Sequence, residues 1–253
     1  MLRTFADRLH AGRVLAGHLA ERDLIDPVVL ALPRGGVCVA VPVAEVLGAP
    51  LEVLVARKLG TPGQRELAIG AIAEDGPRLV DEDLQRTLRV SADVLDKIEA
   101  AERTELERRV RRYRRGRELP ILEGRDVVLV DDGLATGLTA LAALRALAGH
   151  HPRTVVVAVP VGPPSTVTLL EKEADEVVCL VQPQDFEFRS VGTWYDEFPP
   201  VADREVNRLL DQRAEDLAPG SRRRGRRTAT ESLRSTWRRR PSPGRPAHGN
   251  GAS

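Results

Sequence analysis

The stretch Val127–Ala140, VVLVDDGLATGLTA, decides how the rest of the chain is read. Four aliphatic residues, Val127 to Val130, run straight into two adjacent carboxylates, Asp131 and Asp132. A turn of small and hydroxyl-bearing residues follows, Gly133 to Thr139, and then a run of alanine and leucine. A strand, a tight turn and a helix in this order aim several backbone N–H groups at one spot, the geometry that holds a phosphate. Thr136 and Thr139 add hydroxyl donors, while Gly133 and Gly137 let the backbone come close. The turn has neither the glycine spacing nor the lysine of a P-loop, and it lacks G-x-G-x-x-G. Asp131 and Asp132 must therefore face something other than the phosphate. A carboxylate accepts two hydrogen bonds, which suits a vicinal diol, and it can help to hold a hydrated magnesium ion. A sugar with a phosphate at one end and two free hydroxyls satisfies both halves, as a ribose 5-phosphate does. The plain alternative is a buried strand that ends in an ordinary Asp-Asp-Gly turn.

Outward from this stretch the pattern is regular. The spacing predicts strands over 126–131, 154–160 and 176–181, with helices over about 137–148 and 164–173 between them. Upstream, PVVLALP reads as a buried strand ending at Pro33, VCVAVPVAEVLG as a helix ending at Gly48, and LEVLVAR as a second strand. Pro42 is awkward in that helix unless it lies in the first turns. Thr4 with Asp7 gives a cap-like start to a first helix carrying Phe5, Leu9, Leu15 and Leu19. KLGTPGQREL is polar and turn-rich and predicts a mobile loop, with AIGAIAEDG and PRLV as a short hairpin beside it. A long helix is expected near 91–116. Its arginine run, Arg108 to Arg117, suits nucleic acid or, more simply, a solvated helix face. Aliphatic strands alternating with helices imply an α/β fold: a central, mostly parallel sheet with helices on both faces and ligands at the carboxyl ends of the strands.

Composition bounds the rest. Of 253 residues 42% are hydrophobic but only 3% aromatic, so the core must be aliphatic. Two cysteines, Cys38 and Cys179, both in aliphatic runs, argue against a disulfide scaffold and for a reducing compartment. No run of about 18 apolar residues occurs, so a cytoplasmic protein without a membrane span is expected. The net charge of +1 hides an asymmetry: from Gly220 onward there are ten arginines and one acid, a charge of +9, which leaves −8 on residues 1–219. The sequence divides into a domain over 1–215 and a basic tail over 216–253, expected to be disordered.

VVLVDDGLATGLT resembles the phosphoribosyl-pyrophosphate (PRPP) loop of type I phosphoribosyltransferases: four aliphatics, two acids, and a turn closing in T-G-x-T. The resemblance covers roughly residues 1–215 and implies that family's fold, with a small hood over the sheet. It assigns Asp131 and Asp132 to the ribose hydroxyls, and to magnesium only indirectly through Mg-PRPP. Leu134, Ala135, Thr136, Gly137 and Thr139 would receive the 5-phosphate through backbone amides and hydroxyls. LPRGG, with Arg34, Gly35 and Gly36, stands where the family places its short pyrophosphate loop, although Pro-Arg-Gly-Gly is also simply a turn. ARKLGTPGQRELAIGAIAEDG resembles the flexible loop. Arg57 or Lys58 would meet pyrophosphate from the sheet side, and Arg65 would close over it. With Arg34, Lys58 and Arg65 as the cations, the implied reaction is Mg2+-dependent displacement of pyrophosphate from PRPP by a nitrogen nucleophile, usually a nucleobase, as in nucleotide salvage.

The chain departs from the family's hypoxanthine-guanine pattern at Ala135, where a carboxylate general base is absent, and carries Gly133 where an aliphatic residue is more usual. For the acceptor base, the segment QPQDFEFRSVGTWYDEFPPV gathers Phe186, Phe188, Trp194, Tyr195 and Phe198. Phe188, Trp194 and Tyr195 could stack on a base, with backbone near Val191 and Gly192 reading its edge. The alternative is an aromatic cluster that fastens the C-terminal segment to the sheet. Two other functions compete. One is a PRPP-binding regulator that reaches nucleic acid through the basic tail or the arginine-rich helix. The other is a domain for some different sugar phosphate. A homo-oligomer is expected, since such sites often borrow a neighbour's loop.

Overall fold

The computed structural model describes residues 5–62 and 64–218, with side chains at all of these except 64–66. The tail beyond Ala218 and the expected cap Thr4 lie outside the described residues. Helix α1, Arg8–Leu19, is capped by Asp7, whose carboxylate accepts from the amide of His10 at 2.7 Å. Strand β1, Val28–Ala31, leads to α2, Gly35–Leu47, and β2, Leu51–Val53, follows. Strands β3, Ala56–Thr61, β4, Gln64–Ala73, and β5, Leu79–Val80, come next, then the short α3, Glu82–Thr87, and the long α4, Ala92–Arg114. The second half alternates as expected: β6, Asp126–Val130; α5, Leu138–Ala148; β7, Thr154–Val161; α6, Pro164–Leu170; β8, Glu176–Val181. A 3-10 turn, Val191–Trp194, and α7, Asp203–Leu217, complete it.

The main sheet is wholly parallel, in the order β2-β1-β6-β7-β8. Alternation sorts its side chains onto two faces. Val29, Ala31, Val128, Val130, Val156 and Ala158 pack into one aliphatic cluster with α1 and α2. Val28, Leu30, Val127, Leu129, Val155 and Val157 pack into the other with α5. Strand β6 is therefore central and buried on both sides, and its end projects Asp131 and Asp132 from the middle of the carboxyl edge.

Three expectations change. The polar stretch expected as a mobile loop is an antiparallel hairpin: β3 pairs with β4, and β4 with β5, as a separate sheet. Cross-strand pairing overrides the turn-rich composition, and the register shifts around Gly60 absorb its glycine. Pro42 lies in the interior of α2 rather than its first turns. It removes one backbone donor but is buried against α1, where Gly12 allows the approach: a Cβ there would stand 2.4 Å from the Val39 carbonyl oxygen and 3.1 Å from Pro42 Cγ. Helix α7 continues to Leu217, past the expected boundary at 215. It docks partly through Arg213, which donates to the carbonyls of Ala44 and Ala49 at the end of α2. Among the described residues no helix is long and apolar enough to cross a membrane.

Candidate active site

Two loops meet at the carboxyl edge. The chain leaves β1 through Pro33–Gly36, with a cis Pro33–Arg34 peptide, and lies directly against the end of β6. A Cβ on Gly35 would fall 1.8 Å from Asp132 Oδ2, and one on Gly36 would fall 2.8 Å from the Val130 carbonyl oxygen. Only glycine permits this approach, so PRGG is more than a turn.

The two carboxylates differ in their partners. Asp131 Oδ1 accepts from the amide of Asp132 at 2.8 Å. Burial, and then the neighbouring Asp132 charge, push its carboxyl well above the usual range, while Lys58 and Arg8 pull the other way. Asp132 is also raised by burial, but Arg8 opposes the shift directly. The Arg8 Nε donates to Asp132 Oδ2 at 2.7 Å, with the two side chains only 11% and 17% exposed. Arg8 was not foreseen, because a lone arginine in the first turn of a helix 124 positions away carries no pattern. Its Nη1 donates to the Pro199 carbonyl at 2.8 Å, and its guanidinium lies 3.6 Å from the centre of the Phe198 ring.

The hood is thus tied to the acid pair. Tyr195 donates its hydroxyl to the Asp132 carbonyl at 2.6 Å and packs between Phe5 and Phe198, with ring centres at 5.5 and 4.9 Å. The amide of Phe5 donates to Trp194, and Asp196 and Glu197 donate back to Phe5 and Ala6. Tyr195 is 2% exposed, so it fastens the hood rather than offering a face to a base. Phe188, Val191 and Trp194 pack partly buried against the same cluster. A Cβ on Gly133 would meet Val191 at 2.6 Å, which explains the glycine where an aliphatic residue was more usual.

In the phosphate turn, Leu134 is an anchor. Its side chain is buried and its amide donates to the Val161 carbonyl at 2.8 Å, so that amide is not offered to a phosphate. Thr166 donates its hydroxyl to the Ala135 carbonyl at 2.8 Å, and Gly137, at φ 73°, opens α5. Ala135 and Thr136 are left exposed beside the first turn of α5, where backbone N–H groups have no intrahelical partner, and Thr139 lies in that turn.

The cations divide. Lys58 is exposed on β3 and near enough to Asp131 to act on its ionisation. Arg57, on the alternate face, is engaged by Glu102 of α4 at 2.7 Å and is not gathered with the acid pair. Arg34 is directed at Asp203 of α7, 3.6 Å away. Asp203 also accepts from Tyr113 and Arg112, both at 2.8 Å. Burial and the Asp203 contact raise the Tyr113 hydroxyl to about 12. The side chain of Arg65 lies outside the described residues. Among the described residues no three acidic, histidine or cysteine side chains converge on a metal position. With Asp132 already matched by Arg8, the pair suits a neutral diol better than a protein-held cation.

Comparison with known proteins agrees with this geometry. Two proteins of Mycobacterium tuberculosis, from strains CDC 1551 and H37Rv, carry a provisional phosphoribosyl transferase name. Each is 48% identical over 217 residues, covering 86% of this chain. The chain spans about half the length of these curated relatives, 48%. A crystal structure from Thermus thermophilus superposes with a TM-score of 0.70 at 46% identity, covering 83% of this chain and 98% of that one. The profile of the phosphoribosyl transferase domain matches residues 7–197. That span holds the acid pair, the glycine loop, the phosphate turn and the hood, and the chain belongs to the phosphoribosyl transferase domain family.

Proposed function

We propose that the domain is a magnesium-dependent phosphoribosyltransferase that displaces pyrophosphate from PRPP with a nitrogen nucleophile of the nucleobase type. The observation that carries this reading is the close approach of Gly35 to Asp132 and of Gly36 to Asp131, which sets a glycine loop for pyrophosphate against acceptors for a diol. Each carboxylate keeps an oxygen for the ribose, since Asp131 uses Oδ1 and Asp132 uses Oδ2 internally. The amides from Ala135 to Thr139, with the hydroxyls of Thr136 and Thr139, receive the 5-phosphate. Gly35, Gly36 and Lys58 receive the pyrophosphate, and Arg34 and Arg65 complete its neutralisation. Magnesium, when bound with PRPP, supplies charge stabilisation to the leaving pyrophosphate. The chain itself orients the ribose, steadies the leaving group and excludes water, and performs no covalent step of its own. No carboxylate stands at Ala135, so the acceptor nitrogen must lose its proton to another group or to water. Free Cys38 and Cys179 suit a reducing compartment, and with it a cytoplasmic salvage role.

Calorimetric titration of PRPP with and without Mg2+ tests the substrate half, followed by a panel of nucleobases scored by pyrophosphate release. Magnesium-dependent binding with turnover supports the transferase. Absence of PRPP binding in both conditions would sink it. The pairing of Arg34 with Asp203 favours one second reading: a PRPP-binding regulator without turnover, reaching nucleic acid through the basic tail. Tight PRPP binding with no pyrophosphate release from any acceptor, and a salt-sensitive nucleic-acid complex lost on removing residues 219–253, would select it.

A further inference from the structure

The groove between α4 and α7 takes no part in the site above. Arg108, Arg111, Arg112 and Arg115 follow one another at i, i+3, i+4 and i+7, so four guanidinium groups share one face at the end of α4. Arg204, in the first turn of α7, faces them, and the buried Asn207 completes the lining of an open groove of about 490 Å³. Small-molecule sites span about 300–1,000 Å³. We propose that this groove is a second anion site and that its ligand is a short polyphosphate chain.

Packing accounts for only part of this arrangement, since Arg112 and Arg115 pair with Asp203 and Asp211 of α7 while, among the described residues, Arg108, Arg111 and Arg204 make no pair across the groove. The buried contacts of α4 come from its other face, through Leu95, Leu106 and Tyr113. Acids do attend four of the arginines: Glu105 at Arg108, Glu107 at Arg111, Asp203 at Arg112 and Asp211 at Arg115. Yet those arginine side chains are 51% to 69% exposed. Exposed pairs of this kind contribute only about 0–1 kcal/mol each. A guanidinium has more N–H donors than one carboxylate can use, so a linear polyanion can bridge several of them without breaking every pair. Arg204 brings a fifth charge from the opposite wall. The −8 charge of residues 1–219 favours a small ligand over a duplex, whose extended backbone would meet the acidic remainder of the body.

The groove also has a line to the pyrophosphate loop. Asp203 is shared by Arg112 in the groove and by Arg34 at the start of α2. A ligand that draws Arg112 away leaves Asp203 to hold Arg34 more firmly, so occupancy would oppose the use of Arg34 at the acid pair.

The test is calorimetric titration of inorganic tripolyphosphate into the full chain, comparing wild type, Arg111→Glu/Arg204→Glu and Lys58→Ala. The groove predicts that Lys58→Ala keeps the binding, while the double variant loses roughly tenfold or more in affinity. Orthophosphate, which reaches fewer guanidiniums, binds roughly tenfold more weakly than tripolyphosphate. Arg108→Gln/Arg115→Gln, at equally exposed positions, repeats the loss without adding negative charge and guards against a misfolded first variant. Wild-type affinity in both groove variants, loss of all binding in Lys58→Ala, or no binding to wild type each overturns the proposal. Preference for a short RNA duplex over tripolyphosphate at the same arginines overturns it too. The inference stands apart from the transferase reading: failure of PRPP to bind, with tripolyphosphate still held by the groove, removes that reading and leaves this one.

Discussion

Replacing Arg8 by alanine removes three interactions at once: the bond to Asp132 at 2.7 Å, the bond to Pro199 at 2.8 Å and the contact over Phe198 at 3.6 Å. Breaking a buried ion pair from one side costs about 3–5 kcal/mol, because the abandoned charge stays where it was. Asp132 retains 17% exposure, so water recovers part of this, and a loss of about 2–4 kcal/mol is expected. For a folded unit of this size that lowers Tm by about 4–16 °C. Asp132→Asn should cost less, because Arg8 keeps Pro199 and Phe198 and no buried carboxylate is stranded. The two changes share one bond, so they cannot add: the Arg8→Ala/Asp132→Asn double variant should recover a coupling energy of about 1–3 kcal/mol. Urea unfolding of the four proteins at pH 7 gives the cycle. Additivity within about 0.5 kcal/mol would refute the claim that Arg8 and Asp132 form one unit joining α1, the acid pair and the hood.

Further expectations concern the same edge. Asp131→Asn should stabilise the ligand-free protein near pH 7 while weakening PRPP binding. The folded Asp131 carboxyl lies above its unfolded value, so stability is lost as pH rises from about 4 through the folded pKa. The gain from Asn must therefore vanish in melts below about pH 4, and a gain that persisted there would point to another cause. Gly35→Ala forces a methyl against Asp132 Oδ2 and should abolish PRPP binding as well as lower Tm, whereas unaltered calorimetry would show that the two loops do not touch. Tyr195→Phe deletes the bond to the Asp132 carbonyl and should cost about 1 kcal/mol in denaturant unfolding. No measurable loss would mean that water already satisfies that carbonyl. Gly12→Ala should destabilise by about 1–3 kcal/mol, since its methyl meets the Val39 carbonyl, and a neutral result would show that α1 can slide away from α2.

The second half of the domain was legible because each strand there is a short aliphatic run and each helix repeats with the helical period. The hairpin over β3 and β4 was not legible, since Gly60, Pro62 and Gly63 advertise a loop and the stabilising partner of each residue stands across the turn. The candidate site was expected at Asp131, Asp132, Gly35 and Gly36, whose types follow from local chemistry, and the structure brings these four together. Arg8, Asp203 and Thr166 were invisible for the opposite reason. Each acts through a partner far along the chain, and no local spacing marks an arginine that will meet Asp132 or a threonine that will meet the carbonyl of Ala135. Leu134 shows the same limit at close range. It sits inside the phosphate turn, yet its amide is claimed by Val161 of the neighbouring strand.

The bridge between Phe5 and Tyr195 sets a schedule for biosynthesis. Every strand of the main sheet precedes residue 182, so a growing chain can build the sheet and display both acids before the segment that clasps them exists. At about 5–20 residues per second, several seconds separate the emergence of Asp132 from that of Tyr195. During that interval Arg8 is already present and can hold Asp132, while Phe5 lacks the Tyr195 ring. A nascent chain arrested between those two points would have the two carboxylates but no hood above them, and Phe5 and Ala6 would be open to a protease that the finished domain excludes.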